Sequence, residues 1–438
     1  MNTRIPLILA CAAASAIANA NEALDILEGR VEPVDMTDIT QDETNPFEPA
    51  WPSWQTSTFD PLWAKAVLFD DPENPLVQQL AITGFFDTHV FNGNKAMLRD
   101  QDGNETSTND LKWDRETSRA RLGARMRAFG STDINTMLEW YSVGSEIGSG
   151  ATTTSPDGDV FFLDELSAAT ELTENTSVTY GKFRPGFSAE FRQDIAASPY
   201  PGRSLLAEFI TPDPTLGLKV NYRSGDMEYG YGWFVSDSDE WVPDIEKDGL
   251  FSFSVAQHLK PTAGSKSKTT VYADYIHNFD ASRPGGFDKS TGGFSNRIIN
   301  GQLSELLADL DFVVDDARID NPALRHLASV GFHSENEQWS VIGDLMIAKG
   351  DLDIGGITLA PSRWIVPGLL KATGRYNLVV IDQDPTITMH TLFLGLNAHL
   401  YRDRLLLMTG YEKWIVEQSE GEAKAEADFW HTGVRASF

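Results

Sequence analysis

Cysteine is almost absent from this chain, whose 438 residues include only one, Cys11. That cysteine lies in an N-terminal stretch typical of a secretory signal, in which Arg4 precedes an apolar run and Ala18-Asn19-Ala20 offers a cleavage site. We expect residues 1–20 to be a signal peptide that is removed before Asn21. The mature chain would then have no thiol, which excludes disulfides, cysteine nucleophiles and cysteine metal sites together.

Long apolar runs are absent as well. After the signal, the sequence has no stretch of about eighteen apolar residues that could form a membrane-spanning helix. The mean hydropathy of −0.27 would suit a water-soluble protein. A membrane-spanning β-strand, however, needs only about ten residues in which apolar and polar side chains alternate. The low mean hydropathy therefore does not exclude a membrane protein that is built from strands.

Positive charge is scarce. The chain has 35 Lys and Arg residues against 64 Asp and Glu residues, a net charge of −29, so nucleic acid is an implausible partner. The acidic residues concentrate in predicted loops and in a proline-dotted segment, residues 21–79. We expect this segment to be a periplasmic N-terminal extension with short helices at Leu62–Leu68 and Pro75–Leu80. A leader without regular structure is the alternative.

Signatures of catalysis are missing too. The eight histidines are dispersed without HExxH spacing, and the sequence has neither a G-x-S-x-G elbow nor a glycine loop that would cradle phosphate. We therefore expect no enzymatic activity, no cofactor and no metal site. Asp100–Glu105 resembles half of a calcium-binding loop, but the glutamate expected at the twelfth position is missing, and a plain hairpin turn is the simpler interpretation.

The most informative stretch that is present lies between Arg115 and Phe129 and has two opposite faces. The odd-numbered positions are Arg119, Arg121, Gly123, Arg125 and Arg127, and the even-numbered positions are Ala120, Leu122, Ala124, Met126 and Ala128. Side chains alternate across a strand, whereas at ~100° per residue of a helix these arginines share no face. Burying such a row of guanidiniums in a dry core would cost several kcal/mol for each. A transmembrane β-barrel, with water inside and lipid outside, accommodates both faces.

The alternating pattern continues to the end of the chain and predicts fifteen strands. They are Leu80–Asn92, Thr117–Phe129, Ile134–Val143, Val160–Thr170, Thr176–Arg184, Leu216–Arg223, Met227–Ser236, Leu250–Leu259, Thr269–Phe279, Leu324–Ser334, Trp339–Lys349, Val366–Val379, Thr388–Tyr401, Leu405–Val416 and Asp428–Phe438. Bacterial barrels have an even number of strands, so a further strand is expected near Ile357 or Phe187. The predicted fold is an all-β, antiparallel transmembrane barrel of about sixteen strands over residues 80–438. A water-soluble β-sandwich, whose strands also alternate, is the alternative.

The last predicted strand ends in an aromatic residue. Trp430, Val434 and Phe438 share its apolar face, and such a terminal strand is what the outer-membrane barrel assembly machinery recognises. We therefore predict these three residues to be the assembly signal. Aromatic residues near strand ends also predict an interfacial girdle. They are Trp140, Tyr141, Trp233, Trp339, Trp364, Tyr401 and Trp414.

Five short sequence motifs occur in order along the chain. They are Ser118-Arg119-Ala120-Arg121-Leu122-Gly123, Val178 to Phe187, Arg203-Ser204-Leu205, Gly374-Arg375-Tyr376, and Leu394 to Leu400 with Arg404 to Tyr411. In this order they resemble the phosphate-selective porins O and P of Gram-negative outer membranes. The resemblance implies a sixteen-stranded barrel, usually a homotrimer, with loops folded into a lumen lined by Arg and Lys. The chain departs from the family at Gly186, which replaces a proline, and in its far more negative charge.

The arginine row and the resemblance together predict an outer-membrane porin for small hydrophilic solutes, including anions such as phosphate. Guanidinium groups bind such anions in a bidentate manner. The predicted anion path consists of Arg119, Arg121, Arg125, Arg127, Lys182, Arg184 and Arg203. Alternatively, the arginines pair with acidic lumen residues such as Glu139, Glu165 or Glu412, as in a general porin.

Two other functions stay open at this point, a non-conducting surface or adhesion barrel and a barrel hydrolase. The sequence also contains an amphipathic piece within residues 280–322, with leucines at helical spacing. This piece would either narrow the pore or cap the barrel from outside.

Overall fold

The computed structural model describes residues 51–93, 96–99, 105–108, 115–145, 160–235, 249–261, 267–279, 324–350, 352–382, 385–419 and 424–438. The predicted signal peptide, most of the Asp100–Glu105 loop and the amphipathic piece within 280–322 lie outside these ranges.

A closed antiparallel barrel of sixteen strands forms the body of the protein. Its strands are β2 (Val77–Gly93), β5 (Arg115–Ala128), β6 (Thr132–Ser145), β7 (Val160–Thr173), β8 (Thr176–Phe183), β9 (Thr215–Ser224), β10 (Met227–Val235), β11 (Gly249–Leu259), β12 (Lys268–Asn278), β13 (Leu324–Glu335), β14 (Trp339–Gly350), β15 (Asp353–Val366), β16 (Leu370–Asp382), β17 (Ile387–Tyr401), β18 (Leu405–Gln418) and β19 (Lys424–Ser437). Each pairs with its neighbour in sequence, and β19 closes the ring by pairing with β2. The predicted fold class is confirmed.

Three short strands lie outside this ring. The first, β1 (Val67–Asp70), pairs with the beginning of β2, beyond the point where β19 ends. The other two, β3 (Ala96–Arg99) and β4 (Glu105–Thr108), form a small hairpin that extends the pairing of β19.

The strand that the sequence pattern missed is β15, which contains Ile357. The alternation there is obscured by Gly355 and Gly356 and by Pro361, a residue that cannot donate a ladder hydrogen bond. The other suspected position, Phe187, is not in a strand and lies inside the barrel.

The two faces of the barrel strands have opposite character. In β17, Leu392, Leu394 and Leu396 are exposed on the outside, whereas Thr391 and Asn397 are buried on the inside. An apolar outer face and a largely polar inner wall are the arrangement of a membrane barrel rather than a β-sandwich. In the described part of the chain, no helix is long and apolar enough to cross a membrane.

An N-terminal helix, α1 (Ser53–Trp63), lies against the end of the barrel where the strands are joined by short turns. The buried side-chain amide of Gln55 donates to the carbonyl oxygens of Gly368 (3.0 Å) and His399 (2.7 Å), and it accepts from the backbone N–H of Arg402 (3.1 Å). The helix predicted at Leu62–Leu68 is partly confirmed, because α1 contains Leu62 and a 3-10 helix follows it at Ala64–Ala66. The helix predicted at Pro75–Leu80 is wrong, because the residues from Val77 onward belong to β2.

The predicted aromatic girdle is only partly correct. Trp233 is exposed on the outer face, as expected. Tyr401 instead packs against Trp63 of α1, with ring centroids 4.8 Å apart, and Trp414 packs inside the barrel against Phe429, at 5.3 Å. Strand parity places both of these side chains on the inner face.

The connection between β8 and β9, residues 184–214, folds into the barrel; we refer to it as the inner segment. It contains a short helix, α2 (Leu205–Ile210), whose six residues are all buried. The helix begins where the Ser204 hydroxyl accepts a hydrogen bond from the backbone N–H of Ala207 at 3.2 Å, which satisfies one of the first free donors.

The helix α2 is the centre of an inner apolar core that fills one side of the barrel. Inward-facing side chains of strands β10 to β19 surround it. They include Phe234, Leu250, Ile276, Leu327, Met346, Ile354, Val379, Ile381, Met389, Val416 and Phe429. An apolar helix can enter the barrel here because these strands present apolar rather than polar side chains toward the ends that lie away from the short turns.

One guanidinium group of the barrel wall binds four backbone carbonyl groups of the inner segment. Arg435 is fully buried and donates to the carbonyl oxygens of Ile195 (2.9 Å) and Ser198 (2.6 Å), and to those of Tyr200 and Pro201. Its charge is balanced by Asp87 on β2, at 2.8 Å. Carbonyl groups that would otherwise be buried without donors are thereby satisfied.

Two wall carboxylates hold the other end of the inner segment through its backbone N–H groups. Asp344 accepts from the N–H groups of Ala189 (2.7 Å) and Glu190 (2.9 Å), and Asp274 accepts from that of Ser188 (2.9 Å). The approach is close enough to require glycine at position 331, where a Cβ atom would lie 2.1 Å from the Asp344 carboxylate.

Tyr200 of the inner segment compensates for a hydrogen bond that is missing between two strands of the barrel wall. Pro361 has no N–H to give to Gly374 on the adjacent strand, and the Tyr200 hydroxyl lies 3.1 Å from the carbonyl oxygens of both residues. Burial raises the pKa of Tyr200, so the hydroxyl remains a donor at neutral pH.

Replacing Arg435 by methionine should destabilise the folded barrel strongly. The change keeps much of the side-chain volume but leaves the buried Asp87 with His89 alone, at 2.7 Å. Removing one partner of a buried ion pair costs about 3–5 kcal/mol in comparable cases. We expect a clearly lower temperature for the heat-induced mobility shift of the detergent-solubilised barrel. The exposed Arg404→Met variant is the control, and equal midpoints for both variants would show that Arg435 does not hold the inner segment.

Candidate functional site

The described residues line two open cavities in the barrel, on the side away from the inner apolar core. The larger, of about 680 Å³, lies among the short turns that follow β5, β7 and β9. The smaller, of about 200 Å³, lies deeper, between β5, β7 and the inner segment. Arg192 lines the larger cavity and Gln193 and Asp194 line the smaller, so the two cavities are neighbours along the inner segment.

The arginine row of β5 forms one wall of both cavities. Arg119 and Arg121 line the smaller cavity, and Arg127 lines the larger. Strand parity places all the arginines of the row on the inner face, while Leu122 is 57% exposed on the outer face. The predicted orientation of this strand is confirmed.

The two deepest arginines are paired with carboxylates of the wall. Both guanidiniums contact the buried Glu139 of β6, and Arg121 does so at 2.7 Å. Arg121 also lies 3.3 Å from Asp164 of β7. The ring of Phe85 lies beneath both guanidiniums, 5.5 Å from each. The sequence analysis named Glu139 as an alternative partner, and it is the residue that neutralises this part of the row.

A β-bulge in β7 brings two consecutive carboxylates into the smaller cavity. Met137 pairs with Glu165 and Leu138 pairs with Leu163. Asp164 is therefore an extra residue that has no register partner on β6. Asp164 and Glu165 therefore both line the cavity, although successive residues of a regular strand point to opposite faces.

The inner segment supplies the opposite wall of the smaller cavity. The guanidiniums of Arg184 and Arg203 lie on the ring of Phe191, each 4.9 Å from its centroid. Arg203 also donates to the carbonyl oxygens of Glu190 and Gln193. Burial, together with the nearby charge of Arg184, lowers the pKa of Arg203 to about 10, and the group is still protonated at neutral pH.

Basic and acidic side chains are balanced around each cavity. The smaller cavity is lined by Arg119, Arg121, Arg184 and Arg203, and by Asp164, Glu165, Asp194 and Glu208. The larger is lined by Arg127, Arg192, Lys219 and Arg223, and by Asp133, Glu171, Glu174 and Glu228. Arg127, for example, lies 2.8 Å from Asp133 and 3.0 Å from Glu171. The lining is thus strongly polar without a large excess of either charge.

The remaining residues of the predicted anion path are placed differently. Arg125 is exposed to the lumen, and within the described ranges it forms no close ion pair. Lys182 pairs in register with Leu166 and Leu216, and the alternation of β8 places it with the outward-facing residues. It is not among the described residues that line either cavity. The predicted set therefore does not form one continuous row.

Several lining residues were missed by the sequence analysis. Arg192 and Lys219 line the larger cavity, and Asp164 is visible as a lumen residue only once the bulge is known. The segment between β8 and β9 did carry a signal, because its run Leu205–Ile210 is almost entirely apolar although it lies outside any alternating strand.

The lining offers charge and hydrogen bonds but no recognisable catalytic chemistry. Across the described residues, no group of three His, Cys, Asp or Glu side chains is placed to hold a metal ion. What the arrangement can do is solvate a small polar solute between guanidinium and carboxylate groups that are already fixed in place.

No protein-family model and no curated protein matches the sequence. Among solved structures, the chain is similar to OprB of Pseudomonas putida at high pH, with 11% identity, 82% of this chain and 94% of that chain covered, and a TM-score of 0.53. An anion-selective porin from Comamonas acidovorans (12% identity, 82% and 99% covered, TM-score 0.49) and DcaP of Acinetobacter baumannii (10%, 82% and 97%, 0.48) align less closely. The likeness to OprB shows that this chain has the fold of the outer-membrane porins.

Proposed function

We propose that this protein is an outer-membrane porin through which small hydrophilic solutes diffuse passively. The observation that carries the proposal is the pair of neighbouring polar cavities along the β5 wall of a closed sixteen-stranded barrel. A barrel of this size is wide enough to leave an aqueous channel. The inner segment narrows that channel, and the path runs along the arginine row rather than through the centre of the barrel.

The outer surface supports a location in the outer membrane, after export by the cleaved signal peptide. Large apolar side chains are exposed all around the barrel, as contact with lipid requires. Trp430 and Val434 lie exposed on the outer face of β19, and Phe438 is exposed directly after its end. We propose that these three residues are the signal read by the barrel assembly machinery. A homotrimer is the assembly that the sequence resemblance suggests.

Charge selectivity should be weak. Carboxylates of the wall neutralise Arg119 and Arg121, and basic and acidic residues are balanced around both cavities. We propose that Arg125, which forms no close ion pair with a described residue, makes the main positive contribution, so that anions are mildly favoured. A preference for phosphate rests on the sequence resemblance alone.

The porin hypothesis predicts steady, voltage-independent currents when the purified protein is added to a planar lipid bilayer. Because the mature chain is expected to have no cysteine, a thiol placed in the smaller cavity can be modified selectively. In the Asp194→Cys variant, a negatively charged methanethiosulfonate reagent should reduce the current by at least half, since the reagent would occupy the narrow part of the path.

The matched control is Asp226→Cys in the exposed turn between β9 and β10, where modification should leave the current unchanged. Protein that folds but is electrically silent at every voltage would contradict the porin hypothesis and favour the non-conducting barrel. Currents of the Asp194→Cys variant that do not change when its introduced thiol is modified would place the path elsewhere.

Replacing Arg125 by glutamate should shift the reversal potential in a salt gradient toward cation preference. The low-dielectric walls of a narrow lumen focus the field of a single side chain, whereas charges farther away than ~8 Å are screened at physiological salt. Arg121 is left in place because its removal would take away the close ion-pair partner of Asp164 and leave Glu139 with Arg119 alone. Arg404→Glu, in a turn outside the lumen, should produce no shift. Identical potentials for both variants would mean that Arg125 does not face the path.

A further inference from the structure

Two histidines lie side by side on the outer face of the barrel, away from both cavities. In the register of β12 with β13, His277 is directly opposite His326. Their neighbours Ile276 and Leu327 are buried in the inner apolar core, so the histidines point outward. They lie near the end of the barrel opposite the short turns, because β12 ends at Asn278.

The donor atoms of this pair converge. The Nδ1 atoms of His277 and His326 are 3.2 Å apart, and the ring centroids are 4.7 Å apart. The hydroxyl group of Tyr275 lies 2.9 Å from the same Nδ1 atom of His326. Three potential ligand atoms therefore lie close together, two of them within 3.2 Å of the Nδ1 atom of His326, and all three side chains are at least partly accessible from outside.

The spacing matches that of two ligands on one metal ion. Metal–nitrogen bonds of Zn²⁺ are about 2.0–2.1 Å, so two nitrogens at a tetrahedral ion are ~3.3–3.4 Å apart. Residues directly opposite on antiparallel strands have Cβ atoms only ~4.5–5.5 Å apart. The backbone register thus fixes the proximity of the two imidazoles, and small rotations of the rings are enough to open the gap for an ion.

We propose that His277 and His326 form a binding site for a divalent transition-metal ion such as Zn²⁺ or Cu²⁺ on the outer rim of the barrel. Neutral imidazole is a preferred ligand of these ions. Tyr275 contributes a third ligand, its hydroxyl oxygen, directly or through water, and solvent completes the coordination. A bound ion would tie the ends of β12 and β13 together.

The surroundings determine how strong the site is. The ring of Phe279 lies 4.4 Å from that of His277 and shields one side from water. Arg325, which is exposed beside the pair, repels a cation and will limit the affinity. Because protonated histidine cannot bind a metal, binding should weaken in acid.

The test uses the untagged, detergent-solubilised protein and the metal ions alone. Electron paramagnetic resonance of the protein with one equivalent of Cu²⁺ should show hyperfine coupling to two imidazole nitrogens. Calorimetric titration with Zn²⁺ should give one ion per chain, and His277→Asn and His326→Asn should each weaken binding at least tenfold. Tyr275→Phe should have a smaller effect.

His390→Asn is the matched control. His390 also lies on the outer face and shares a hydrogen bond of 2.9 Å with a tyrosine, Tyr376, but it has no histidine opposite, since its register partners are Leu378 and Ile415. This variant should bind as the unaltered protein does. An equal loss in His390→Asn, or a Cu²⁺ spectrum of the unaltered protein without two-nitrogen coupling, would overturn the proposal, and the latter does not depend on how any variant folds.

Discussion

The width of a sixteen-stranded barrel is the constraint on which the rest of this structure depends. Side chains from the wall cannot fill such a lumen, so a piece of chain must enter it, and every polar backbone group of that piece needs a partner inside. The wall meets this need with charges of both signs. Arg435 holds the carbonyl groups of the inner segment, and Asp274 and Asp344 hold its N–H groups. The position of the inner segment is therefore set by ionic groups on strands that are far apart in sequence.

This anchoring divides the lumen into two unequal parts. Strands β10 to β19 pack apolar side chains around α2, and no polar solute would enter that side at low cost. Strands β5 to β9, with parts of β10 and β11, line the charged cavities. The electrostatic character of the open side is consequently decided by the few charged residues that line these cavities.

The sequence predicted the strands well because alternation is a local property. The outer and inner faces of β5, β17 and β19 follow directly from the order of apolar and polar residues. Contact with lipid is sufficient to explain the apolar outer face. The path of the inner segment could not be predicted in this way, because it depends on Asp87, Asp344 and Arg435, whose partners lie far away in the sequence. Sequence reasoning for the same reason did not identify the inner segment as an element inside the lumen, and it gave the arginine row more free charge than the pairing with Glu139 leaves it.

The bulge at Asp164 has a consequence for how such a lumen can change over time. In a regular strand, each inward position can be altered only by substitution, and its two neighbours always contact lipid. One additional residue in β7 places an acid at a position that parity would assign to the membrane. The charge at the narrowest part of the barrel can thus be changed by inserting or deleting a single residue, with no substitution at all. Closely related barrels could differ in their preference for ions while having almost the same strands.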